Sequence, residues 1–140
     1  MAVLYGAYTT PRSTTPVGQV DGSVQGGHVR VYREKITLAS QTTSDTIVVA
    51  YPSAGETFLY GTLRSDTSLG SSTVAIGVSG TTGKYRSAAV FTSTTAYETF
   101  GVVAAASAKL TTDETVFITI AAASLPASGT LFVDLYFAQT

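Results

Sequence analysis

Few side chains in this sequence could do chemistry: one histidine, nine carboxylates, eight lysines and arginines, and no cysteine in 140 residues. His28 follows Gly26-Gly27 and has no second imidazole and no thiol to work with. A nucleophile–base pair would need a partner beside it, and a zinc site would have to be almost wholly carboxylate, which zinc rarely accepts. Of the acidic residues Asp21, Glu34, Asp45, Glu56, Asp66, Glu98, Asp113 and Glu114, almost all fall at turns or strand ends. A carboxylate pair flanking a sugar bond would therefore have to be drawn from separate strands. Asp134 differs, because it sits inside an apolar strand: it either faces outward or pairs with an arginine across a subunit interface. Gly80-Thr81-Thr82-Gly83-Lys84 has part of a phosphate-loop pattern, but Val78 stands where the first glycine is needed and Tyr85 follows the lysine. It reads as a turn. The residue types point to no catalytic centre, no metal and no cofactor.

Charge narrows the partners further. Arg30, Arg33 and Lys35 cluster on one stretch and Lys84 and Arg86 on another, with Tyr32 and Tyr85 among them. That arrangement could suit an oligonucleotide barrel. Against it stand a net charge of −1 and Glu34 in the middle of the best cluster, whereas phosphate tracking needs a basic field. Nucleic acid is not expected as a partner. No apolar run approaches the length of a membrane span, and MAVLYGAYTTPR has no charged start before a long apolar run. Neither a membrane segment nor a secretory signal is expected. With 12% charged residues, the surface must be built largely from Ser, Thr, Gly and Ala. Such a surface suits extensive contact with neighbours.

The elements that must position these side chains are strands. From Thr57 to Phe91 the chain reads as three of them: Phe58-Leu59-Tyr60 with Leu63, then Val74, Ile76 and Val78, then Tyr85 to Phe91. RSDTSLGSS and SGTTGK supply the breaks. His28 to Ala39 predicts a long first strand. Val29 and Val31 share one parity there, and Ile36 and Leu38 the other, so a bulge or twist is expected near Arg33 to Lys35. Thr46 to Tyr51 is apolar on both faces and stops at Pro52. FGVV could be a short strand, and AAASAKL a turn of helix or a loop. Thr115 to Ala121 reads as a central strand. Thr130 to Ala138 closes the chain, with Leu131, Val133, Leu135 and Phe137 on one face and Phe132, Asp134 and Tyr136 on the other. The expected fold is all-β: an antiparallel β-sandwich of about eight strands, wound like a jelly roll.

Residues 1–27 lack a sustained period and carry Pro11, Pro16 and five glycines. They read either as a solvated tail or as an extended N-terminal arm that orders against another subunit. Val3, Leu4, Tyr5 and Tyr8 are more apolar than a tail needs. The expected division is an arm over 1–27 and a single sandwich domain over 28–140.

Taken together, GGHVRVYREKITLA, TIVVAYPSAGETFL, SDTSLGSSTVAIGVSGTTGKYRSAA and LTTDETVFITIAAASLPASGTLFVDLYFA resemble the small β-sandwich structural proteins of tailed bacteriophage heads. The resemblance runs from Gly26 to the C-terminus. It implies a virion protein, placed on the head surface and assembled in the host cytoplasm, that binds and stabilises or decorates the capsid. Its partners would be the major capsid protein and copies of itself, commonly as a trimer. The resemblance supplies no catalytic residues, and no small-molecule substrate is expected. The candidate assembly contacts are Leu4, Tyr5, Tyr8, Arg12, Arg30, Tyr32 and Arg33, since interface cores are rich in aromatics and arginine. The alternative is a head-spike, tail-fibre or receptor-binding module whose tyrosines stack on a host glycan.

Overall fold

A computed structural model describes residues 27–139. Eight strands and one helical turn follow in order: β1 (His28–Thr37), β2 (Thr46–Ala50), β3 (Glu56–Ser65), β4 (Thr73–Val78), β5 (Thr81–Val90), β6 (Glu98–Phe100), α1 (Val103–Ala106), β7 (Val116–Ala121) and β8 (Thr130–Gln139). They form two four-stranded sheets, ordered β1-β8-β3-β6 and β2-β7-β4-β5. β1 pairs with β8, β2 with β7, β3 with β6 and β4 with β5, all antiparallel. The chain is thus one long hairpin, bent at Ser79-Gly80 and rolled up until β8 also meets β3 and β7 also meets β4. This is jelly-roll winding, as the strand count and turn chemistry predict.

The alternation in β8 explains the core. Leu131, Val133, Leu135 and Phe137 are fully buried, facing Leu63 and Phe58 of β3 and Val74, Ile76, Ile118 and Ile120 of the opposite sheet. Period two puts every second residue on the inner face, and each such aliphatic or aromatic side chain contributes about 1.5–3 kcal/mol when removed from water. Phe58 packs against Tyr85 at 4.6 Å and against Phe137 at 5.5 Å between ring centroids, and Tyr32 meets the Phe137 edge at 5.5 Å.

Several local expectations are corrected. β1 pairs with β8 through an unbroken register from His28↔Gln139 to Thr37↔Thr130, so no bulge falls near Arg33–Lys35. The parity change in the sequence has another cause: Val29 and Val31 stand on the outer face, 54% and 46% exposed, while Ile36 is buried on the inner one. SGTTGK is a turn only at Ser79-Gly80, where Gly80 has φ +84°. Thr81–Lys84 already belong to β5, and the irregular register against β4 absorbs them. Gly77 lies under that irregularity: a Cβ there would meet the Thr81 carbonyl oxygen at 2.3 Å. Of FGVV only Phe100 is in a strand, and Val103 opens the helical turn.

Candidate assembly face

The outer face of the β1-β8-β3-β6 sheet is built in rows by its register. Arg33, Asp134 and Thr62 face one another across β1, β8 and β3, with Thr99 of β6 beyond. The next row is Val31, Tyr136 and Tyr60, and on the other side lies Lys35, Phe132 and Arg64. The first two rows and Arg64 line a shallow depression of about 570 Å³, which Tyr97 borders from the segment before β6.

Asp134 anchors the middle row. It faces outward from the sheet, yet is only 5% exposed, because its carboxylate is covered by its partners. Arg33 donates from Nε to Oδ1 at 3.0 Å, Thr62 donates from Oγ1 to Oδ2 at 3.2 Å, and Arg64 Nη2 lies 3.6 Å from Oδ2. Asp134 thus faces outward, the first of its two expected readings, and the arginines paired with it belong to its own chain. Such a carboxylate adds little to stability through ion pairs with half-exposed arginines, but it holds both guanidiniums in place. Arg64 also lies over the Phe132 ring, 4.6 Å from its centroid.

Tyr60 and Tyr136 stack at 4.5 Å with their planes 13° apart. Tyr60 reaches this face only because the β3 register slips between Phe58 and Tyr60. In strict alternation Phe58 and Tyr60 would share the core side; the extra residue, Leu59, turns Tyr60 outward. Leu59, Tyr60, Val31 and Tyr97 are exposed. Aromatics and arginines with few lysines or carboxylates form the composition of an interface core.

The candidate contacts named from sequence divide. Leu4, Tyr5, Tyr8 and Arg12 lie outside the described residues. Arg33 is on the outer face, whereas Arg30 and Tyr32 turn toward the sandwich interior at its end. There Glu56, 2% exposed, accepts hydrogen bonds from Tyr32 Oη at 2.7 Å, Arg30 Nη1 at 3.0 Å and the Ser53 backbone N–H at 2.7 Å. Burial, then the Glu56 hydrogen bond, pushes the Tyr32 phenol up to about 12. The second basic cluster is occupied as well: Lys84 and the Tyr85 hydroxyl both donate to Glu114, and Arg86 pairs with Glu98. Tyr60, Tyr97, Tyr136 and Arg64 were missed in the sequence. The alternation of β8 already put Tyr136 beside Asp134, but only the strand order shows which residues flank them.

No family model matches the sequence, and no curated protein is similar to it at the sequence level. In three dimensions the chain is similar to one in the capsid asymmetric unit of cyanophage Pam1, with a TM-score of 0.68 and 20% identity over 81% of this chain and 86% of that one. A chain of the capsid of Ralstonia phage GP4 gives 0.65 and 20% over the same shares. A chain of the acid-stable capsid of Helicobacter pylori bacteriophage KHP30 gives 0.57 at 7% identity, over 79% and 86%. At these identities the likeness is one of fold.

Proposed function

We propose that this chain is a structural protein of a tailed-phage virion that binds the capsid and stabilises or decorates it, with no catalytic role. The observation that carries the reading is the Tyr60–Tyr136 stack one row from the Arg33–Asp134–Arg64 cluster, on a sheet whose fold recurs among phage capsid chains. In this reading the outer face of β1-β8-β3-β6 docks on the major capsid protein at the head surface. Copies associate, as a trimer, through the N-terminal arm, and assembly takes place in the host cytoplasm. Leu4, Tyr5, Tyr8 and Arg12 belong to the arm's contacts and Arg33 to the face. Arg30 and Tyr32 support β1 from beneath.

The test is co-sedimentation of the full chain with capsids that lack it. Wild type is expected to pellet with the particles. A Tyr60→Ser, Tyr97→Ser, Arg33→Glu variant should lose at least roughly tenfold in affinity, as removal of aromatic and arginine anchors does. Wild type that stays in the supernatant overturns the reading, and an unaffected variant overturns the choice of face. The same tyrosines could stack on sugar rings, so specific binding on a glycan array without capsid binding would favour a receptor-binding module.

A further inference from the structure

Among the described residues β1 is the edge of its sheet: ten residues long, hydrogen-bonded to β8 alone, and followed in the other sheet by a β2 half its length. Proteins ordinarily blunt so long an edge with charged side chains, bulges, prolines or cover, because its open backbone groups template another strand. β1 carries charges, mostly in its second half at Arg33, Glu34 and Lys35, but it has an unbroken register and no proline. Its flank is apolar as well: Val29 and Val31 on β1, Val48 on β2 and Tyr51 just beyond it are all exposed, Tyr51 at 67%. Between the two edges runs a groove of about 340 Å³, apolar on the β2 side, where Val48, Val49, Ala50 and Tyr51 line it, and mixed on the β1 side, where Val31 and Tyr32 are followed by Arg33 and Glu34.

The chain supplies a segment that fits. Residues 2–10, AVLYGAYTT, are rich in strand-forming types, end at Pro11 and nearly equal β1 in length. Period two gives Val3, Tyr5 and Ala7 to one face and Leu4 and Tyr8 to the other. A strand laid along β1 needs both faces apolar: one would meet Val29 and Val31, the other the Val48–Tyr51 side of the groove. The intervening residues 11–27 can reach about 55 Å when extended at ~3.3 Å per residue. That span is long enough to reach a second copy.

We infer that residues 2–10 of one copy add as a fifth strand to the open edge of β1 in a second copy. The association is β-augmentation, with backbone pairing for affinity and the Val/Tyr groove for register. It deepens the arm contact proposed above, but it is a property of the free protein and does not depend on a capsid.

A chain without cysteine makes the test direct. Full-length Tyr5→Cys and Val31→Cys proteins are mixed and oxidised by air with a copper catalyst, so that any disulfide between positions 5 and 31 is intermolecular by construction. That heterodimer is expected to exceed the Tyr5→Cys plus Tyr97→Cys control by roughly tenfold, the gain expected when pairing raises local thiol concentration. Yields equal to the control overturn the inference. A Tyr5→Cys, Val31→Cys double variant that closes internally, while the mixture does not cross-link, would place the segment on its own β1 and equally overturn exchange between copies. If cross-linking succeeds and capsids are not bound, the virion reading fails and the strand exchange stands.

Discussion

Arg86 of β5 and Glu98 of β6 join the two sheets at their far edge: Nη2 and Nε donate to the same carboxylate oxygen at 2.7 and 3.2 Å. Each strand is the outermost of its own sheet, so the pair closes the side of the sandwich opposite β1. The arginine is 4% exposed and also donates to the backbone carbonyls of Val74, Ala89 and Val90. Arg86→Ala should cost roughly 3–5 kcal/mol in denaturant unfolding, since it strips partners from several buried acceptors. Glu98→Gln, at the more exposed end, should cost about 1 kcal/mol. Equal costs for the two would show that the backbone carbonyls contribute nothing.

Gly77 and Gly61 both lack room for a side chain, for different reasons. A Cβ on Gly77 meets only backbone, the Thr81 and Thr82 carbonyls, whereas one on Gly61 meets the Phe100 ring at 2.3 Å and the Asp134 carbonyl at 2.9 Å. A ring on a three-residue edge strand can shift, but backbone locked in a register irregularity shifts at greater cost. Gly77→Ala should therefore destabilise by about 3 kcal/mol and Gly61→Ala by less. Thermal melts of the two variants give the order.

Ala122 has φ +67° just after β7, a left-handed conformation that costs an L-residue roughly 1–2 kcal/mol. Ala122→Gly relieves that strain, at some cost in unfolded-state entropy. The unfolding midpoint should rise, and a fall would mean the alanine methyl has a packing role.

Alkaline pH should weaken the fold through its inward-facing phenols. Burial first, then the hydrogen bond to Glu56, raises Tyr32 from 10.0 to about 12, and burial with the Glu114 hydrogen bond raises Tyr85 in the same direction. Both shifts favour the neutral phenol in the folded state. The stabilisation is whole below pH 10 and is lost as pH rises through about 12 for Tyr32. Stability measured across this window should fall, and Tyr32→Phe should fall less steeply. The absence of tryptophan leaves tyrosinate absorbance unobstructed as a parallel readout.

The layers of the fold were legible in the order of residues because period two is strong where one face is buried. Leu131, Val133, Leu135 and Phe137 all lie in the core as their spacing predicts. Irregularities were not legible. The slip at Leu59 that turns Tyr60 outward is set by β8, distant in sequence, and the one that hides Thr81–Lys84 within β5 arises inside the β4·β5 hairpin, where Ser, Thr and Gly spell a turn. The face itself was half visible: Tyr136 and Asp134 shared a parity, but nothing local says that Arg33 and Thr62 would flank Asp134. Arg86 looked like part of a basic cluster because a buried arginine satisfied by carbonyls has no sequence signature.

The rolled hairpin also dictates an order of assembly in time. Its pairings are concentric: Val78 and Thr81 are three residues apart, whereas Arg33 and Asp134 are separated by 101. Loop-closure entropy rises with each ring outward, so β4·β5 can zip early and β1·β8 must wait. A chain of such high contact order folds on the millisecond-to-second scale. Until β8 arrives, both flanks of β1 are open, and that interval is when a neighbouring nascent copy could capture the wrong strand.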